Sequence, residues 1–212
     1  MIAKIIEIID EAKDIKSFRL QPVIKYLPGQ WMYVTLSKNL TLKHHFTISS
    51  SPTESFLQFT TKYRWESDYK KALWQKRVGD ELEITGSFGS FTLDENDTSA
   101  RLFIAGGIGI TPFRSMIKYV TDKQLTLPIT LLYSVKNKAE AAFANELLVH
   151  SSLFIVETTT EGRLNKEKIA KYCPDWQNRT WWVCGPPAMV ETVMAFAPLA
   201  SKSEEFTGYA SD

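Results

Sequence analysis

The run Phe103-Ile104-Ala105-Gly106-Gly107-Ile108-Gly109-Ile110-Thr111-Pro112 decides how the chain is read. An apolar stretch breaks into three glycines just before a helix start. Arg101 to Ala105 has the length of a buried parallel strand. Glycines at 106, 107 and 109 let the backbone turn tightly and come close to a pyrophosphate. Pro112 suits the first helical turn, where its missing N–H costs nothing, while the neighbouring free N–H groups and the helix dipole favour a phosphate. A tight strand-to-helix turn without a ligand would show the same pattern, so the other segments must decide.

C-terminal to this run the rhythm is strand, helix, strand. Strands are expected at Leu102 to Ala105, Ile129 to Ser134, Leu153 to Thr158 and Trp181 to Cys184. Helices are expected at Pro112 to Thr121, Ala139 to Val149, Asn165 to Tyr172 and Pro187 to Phe196. Such alternation implies a parallel sheet with right-handed crossovers and ligands at the carboxyl ends of the strands. N-terminal to the run, short alternating segments at Ala3 to Ile9, Ser17 to Gln21, Trp31 to Leu36, Phe46 to Ser49, Phe56 to Thr61 and Glu81 to Ile84 are separated by turn signals. They predict a small antiparallel six-stranded β-barrel. Only Ser67 to Lys76 reads as helical there, with Ser67 as N-cap. The polar segment Asp94 to Ser99 marks the boundary, dividing the chain into a barrel domain over 1–96 and an α/β domain over 97–212.

The 212 residues suffice for two small domains with separate cores. Lys plus Arg number 25 against 24 for Asp plus Glu, a formal charge of +1, which gives no basic field for nucleic acid. The apolar runs are strand-length, far short of a bilayer span, and the first residues lack the shape of a secretory signal. A soluble, cytoplasmic protein is expected. Cys173 and Cys184 form neither a metal pair nor a set of four thiolates, so no metal site is expected. If the chain moves electrons, it must use an organic cofactor.

Over nearly its whole length the chain resembles the ferredoxin–NADP reductase superfamily. The matching segments are Pro28-Gly29-Gln30-Trp31, His45-Phe46-Thr47-Ile48-Ser49-Ser50, Gly79-Asp80-Glu81-Leu82-Glu83-Ile84, Gly86-Ser87-Phe88-Gly89-Ser90-Phe91, the Gly106 to Pro112 loop, Tyr133-Ser134-Val135-Lys136, Cys184-Gly185-Pro186-Pro187-Ala188-Met189 and Glu205-Phe206-Thr207-Gly208-Tyr209. Their order and spacing carry the likeness more than any one of them. It implies a flavin-binding barrel joined to an NAD(P)-binding domain.

In that family a strand with Arg-x-Tyr-Ser/Thr holds the flavin. The corresponding run is His44-His45-Phe46-Thr47, followed by Ile48 and Ser49. The resemblance implies that Phe46 stacks on the ring and Thr47 donates to it, although a barrel-core role would also account for Phe46. His44 stands where the family has arginine for the flavin phosphate, a smaller donor with pH-dependent charge. The resemblance also implies a phosphate loop over Thr61 to Ser67, with Thr61, Ser67 and either Lys62 or Arg64 near a diphosphate. The family's paired glycines are missing there, and Glu66 and Asp68 either oppose a phosphate or simply favour the helix dipole. FAD is favoured over FMN.

For the coenzyme, the resemblance assigns Gly106, Gly107, Gly109, Thr111 and Pro112 to the pyrophosphate and nicotinamide end. Ser134 and Lys136 fall at the adenosine ribose, leaving NADH and NADPH equally open. Cys184, Gly185, Pro186 and Met189 fall beneath the nicotinamide, with a small buried apolar role as the other reading of Cys184. Phe206 and Tyr209 belong to an aromatic tail that either covers the flavin or only fixes the C-terminus. The implied activity is a flavin-dependent NAD(P)H oxidoreductase. Hydride would pass from nicotinamide to flavin with Thr47 and Cys184 nearest and no acid or base strictly required. A separate acceptor would follow: a ferredoxin, a flavodoxin, a haem protein, a ferric chelate or a quinone. The alternatives are a flavin-free NAD-dependent dehydrogenase and a flavin- or nucleotide-binding regulatory subunit of a larger complex.

Overall fold

The computed structural model describes residues 1–36 and 42–206. Strands β1 (Ile2–Ala12), β2 (Ile15–Gln21), β3 (Trp31–Thr35), β4 (Lys43–Thr47), β5 (Leu57–Lys62) and β6 (Glu81–Phe88) form one antiparallel sheet in the order β4-β3-β6-β1-β2-β5. Its edge strands meet where Ile48 bridges Phe59 and the Ser49 N–H donates to the Gln58 carbonyl at 2.8 Å, which closes the sheet into a barrel. Alternate residues point inward, as the period of two requires. Ala3, Ile5, Phe18, Leu20, Met32, Val34, Leu82 and Ile84 fill the interior. Helix α1 (Asp68–Trp74) begins at Ser67, whose side chain accepts from the Lys70 N–H, and it buries Tyr69 and Leu73 in the barrel core. Each such burial contributes on the order of 1.5–3 kcal/mol.

The second sheet is parallel, in the order β11-β10-β7-β8-β9. Its strands are β7 (Arg101–Gly106), β8 (Ile129–Val135), β9 (Ser152–Glu157), β10 (Thr180–Gly185) and β11 (Lys202–Glu205). Helices α2 (Thr111–Asp122), α3 (Ala144–His150), α4 (Thr158–Glu161), α5 (Lys166–Tyr172) and α6 (Pro187–Met194) connect them. Strand β7 shows how the sheet is covered. Phe103 and Ala105 pack with Phe113 and Met116 of α2 and Leu147 of α3, while Leu102 and Ile104 pack with Ile169 of α5 and Val190 of α6. Both faces are therefore buried, and the strand reads as continuously apolar.

Two local readings change. The segment expected as one helix from Ala139 to Val149 breaks into a 3₁₀ turn at Lys138–Glu140 and the separate helix α3. The break falls at Phe143, whose φ of 61° is left-handed and whose ring is buried in the core with Ala142. Burial of that ring overrides the helical periodicity. Strand β11 carries no apolar signal, because Lys202-Ser203-Glu204-Glu205 is a polar edge strand held by pairing with β10.

The barrel and the α/β layer are joined along α2. Arg114, 3% exposed, ion-pairs with Glu54 of the barrel through both terminal nitrogens, with Glu146 of α3 at 2.9 Å, and donates to the Ser49 carbonyl at 3.0 Å. Ser115 donates to the Ser50 carbonyl at 2.6 Å, and the Lys13 N–H to the Ala139 carbonyl at 2.9 Å. Met116 enters the same seam, within contact range of any side chain placed at Gly29.

Candidate functional site

The carboxyl ends of β7, β8 and β10 open into a cavity of about 340 Å³. Gly106, Gly107, Ser134, Lys136, Pro186 and Met189 form its walls. Gly107 has φ +52° and no atom near the position its Cβ would take, so its backbone is bare towards the cavity. Gly106 is tight for another reason: a Cβ would lie 2.6 Å from the Met189 sulfur. At Gly109 the constraint is internal, since a Cβ would overlap the Cys184 carbonyl of β10. Thr111 and Pro112 are buried, and the Thr111 hydroxyl donates to the Ile108 carbonyl at 3.1 Å. Of the residues assigned to the coenzyme, Gly109, Thr111, Pro112 and Gly185 thus build the turn, whereas the six wall residues face the space.

Sequence reasoning missed Arg163, which enters the same wall from the loop after α4. Its signal was topological only: a loop following a parallel strand belongs at this edge. Neither Arg163 nor Lys136 is paired with a carboxylate among the described residues. Lys62, assigned to the flavin phosphate, also lines this cavity and pairs with Glu140 at 2.5 Å.

A second cavity, of about 280 Å³, lies between strands β3 and β4 of the barrel and strand β11. Trp31, Tyr33, His45, Thr47, Glu204 and Phe206 surround it. The ring centroids of Trp31 and His45 are 5.5 Å apart, giving one wall an aromatic surface. Burial pushes the His45 imidazole down from its ordinary value, helped by the nearby charge of Lys70. Phe206 is anchored by its N–H, which donates to the Gly185 carbonyl at 3.1 Å.

Glu204 had no sequence signal, yet its Oε2 is buried without a hydrogen-bond partner among the described residues. Burial pushes its carboxyl up to about 7. Cys184 is its register partner on β10 and is fully buried. Burial, with the Glu204 charge added, raises the thiol well above its ordinary value, so it stays neutral and unreactive as a nucleophile.

Strand β4 divides its side chains between two places. His45 and Thr47 face the second cavity, whereas His44 and Phe46 face α1. Phe46 is 7% exposed, with its ring centroid 4.8 Å from that of Phe59 and 5.7 Å from that of Tyr69. The His44 ring lies 4.3 Å from Tyr69. Over the Phe46 face is the ammonium of Lys70, 4.4 Å from the centroid, donating to the Thr61 hydroxyl. Ile48 is in the barrel core, and Ser49 bonds Thr60 at 2.8 Å while its carbonyl serves the seam. Ser67 acts as the cap of α1. Tyr209 lies outside the described residues.

Among the described residues no group of three or more His, Cys, Asp or Glu is placed to hold a metal ion, and no helix is long and apolar enough to cross a membrane.

The profile of a family described as "Oxidoreductase NAD-binding domain" matches residues 103–152, which start at the glycine turn's strand. The chain is 29% identical over 215 residues to Flavohemoprotein A of Dictyostelium discoideum, spanning 87% of this chain and 53% of that protein. It is likewise 29% identical over 176 residues to NADH oxidoreductase HCR of Escherichia coli (strain K12), spanning 79% and 54%. The chain thus spans about half the length of these curated relatives. Among solved structures, the ferredoxin–NADP+ reductase from Plasmodium falciparum superposes with a TM-score of 0.83 at 20% identity, over 97% of this chain and 95% of that one. That likeness is one of fold, and it extends across both sheets.

Proposed function

We propose that the chain is a member of the ferredoxin–NADP reductase superfamily and a flavin-dependent NAD(P)H oxidoreductase, with FAD held at the barrel and the coenzyme in the α/β cavity. One observation carries the reading. Both cavities end on the same turn: Pro186 and Met189 line the first, while Phe206, tied to the Gly185 carbonyl at 3.1 Å, lines the second. Ligands filling the two would meet at the end of β10. The bare Gly107 backbone and the orphaned Glu204 oxygen are the features an incoming pair of cofactors would engage.

Bound flavin supplies the conversion of a two-electron donor, reduced nicotinamide, into single-electron transfers to an acceptor. The chain's own residues bind, orient and shield. The strand-turn-helix run from β7 into α2 offers backbone N–H groups to the coenzyme pyrophosphate, with Gly107 giving close approach. Trp31, Tyr33 and Phe206 form apolar walls that keep water from the meeting point. The Thr47 hydroxyl offers a donor there. Glu204 holds a proton at its carboxyl near neutral pH and can pass it to a base in the cavity. The buried Cys184 thiol contributes shape, with its proton retained.

The domain units are read as 1–96 and 97–212, one sheet in each, with Ile15, Phe91 and Leu93 of the first unit packing into the core of the second. The acceptor belongs to the one-electron class: a ferredoxin, a flavodoxin, a haem protein, a ferric chelate or a quinone. A cytoplasmic location completes the reading. The test is the visible spectrum of the purified full chain, followed by anaerobic addition of NADH or NADPH. Bound flavin that bleaches with either coenzyme is expected. Absence of bound flavin with no spectral change on adding FAD overturns the proposal, and bound flavin that neither coenzyme reduces makes the chain a binding subunit instead.

A further inference from the structure

Lys70 is a charge the preceding reading does not use. It projects from α1 into the gap between β4 and β5, the two barrel edges that meet only beyond it at Ile48 and Phe59. Its ammonium donates to the Thr61 hydroxyl of β5 and lies 4.4 Å from the Phe46 centroid of β4 and 6.0 Å from that of Tyr69. No carboxylate pairs with it among the described residues, whereas the neighbouring Lys62 and Lys71 are paired with Glu140 and Asp68. The charged and titratable groups around it are Arg64 from the loop before α1, His44 and His45 of β4, and Tyr69 of its own helix. An ammonium held beside Arg64 and among rings, with one hydroxyl and no carboxylate among the described residues, is a site lacking its anion.

Resting on the flavin reading above, we infer that Lys70 is the cation that receives the flavin phosphate. It supplies from α1 a cation for the phosphate that the resemblance brings to His44 of β4. The flavin phosphate would then take up the ammonium, whose contact with the Phe46 face gives way to a charge-assisted hydrogen bond. Burial, with the Arg64 charge added, pushes the Lys70 ammonium down to about 7. A bound phosphate raises it again. Flavin affinity is therefore flat below pH 7 and falls as pH rises above it, because the free protein has lost the proton that the complex keeps.

The experiment titrates the full chain, freed of bound flavin, with riboflavin, FMN and FAD, following quenching of flavin fluorescence. Lys70→Met is expected to weaken FMN and FAD by about tenfold or more, the loss typical of a charged hydrogen bond, and riboflavin by less than about twofold. Lys70→Arg, always charged, is expected to restore binding of the phosphorylated flavins and abolish the decline above pH 7. Thermal unfolding of each variant verifies that it is folded. Equal losses for all three flavins, or none, overturn the assignment to Lys70 while leaving the flavin reading intact. Failure of the wild type to bind any of the three overturns the flavin reading itself.

Discussion

The two cavities are built in opposite ways. The one at the ends of β7, β8 and β10 is founded on backbone: a single run of sequence, Phe103 to Pro112, makes its strand, its turn and its helix start, and side chains that include Lys62 of the barrel complete its walls. The one between the barrel and β11 is a product of side chains, with Trp31 and Tyr33 from β3, His45 and Thr47 from β4, and Glu204 from a strand near the other end of the chain. Backbone cavities are local in sequence because glycine and proline act where they stand. Side-chain cavities exist only after distant elements have docked, so they depend on the seam.

The largest expected effect follows from that dependence. Arg114→Met leaves Glu54, 10% exposed at its side chain, without its cation, and removing one partner of a buried pair typically costs about 3–5 kcal/mol. Urea unfolding should show that loss, and adding Glu54→Leu should restore part of it, since the stranded charge goes too. A variant as stable as wild type would mean that the seam does not hold the second cavity together.

Gly109→Ala probes the backbone cavity. Its Cβ would overlap the Cys184 carbonyl, which as backbone cannot swing away. Overpacking of this kind costs about 1–3 kcal/mol, and the upper end is expected here. The loss should appear in thermal unfolding whether or not coenzyme is present. Stability unchanged, with coenzyme binding lost, would return Gly109 to the ligand surface.

Glu204→Gln gives a smaller and pH-dependent effect. The carboxyl is raised from 4.5 to about 7 in the folded protein, so the native state binds more protons than the unfolded chain between those values. Stability therefore falls as pH rises from 4.5 to about 7 and is level beyond. The glutamine carries no such penalty. It should match wild type at pH 4 and exceed it by about 3 kcal/mol at pH 8. Parallel pH profiles would mean that water or a partner reaches Oε2.

This contrast also separates what the sequence disclosed from what it hid. The six barrel strands, the alternating α/β half and the glycine turn were legible because each rests on local periodicity or on a special backbone residue. The wall positions Gly106 and Gly107 followed from the same run, and Ser134 and Lys136 from the resemblance. Strand β11 was not legible, since Lys202 to Glu205 pair as a polar edge with no apolar alternation. With it went Glu204. Lys70 and Arg163 were hidden for another reason: a cation reads as solvated until the fold shows that no carboxylate accompanies it. Within β4, the resemblance singled out His44 to Thr47 but could not tell that His45 and Thr47 face the seam while His44 and Phe46 face α1.

The central claim is that two cofactors, one for each cavity, meet across the seam. Anaerobic stopped-flow reduction of flavin-loaded wild type and Gly107→Val by NADH or NADPH tests it most directly. A valine there meets open cavity but must adopt φ near +52°, and it covers the bare backbone facing the coenzyme. The account predicts that the variant retains its flavin, while the coenzyme concentration for half-maximal reduction rises about tenfold or more. Loss of flavin from the variant, or reduction kinetics equal to wild type, would contradict it.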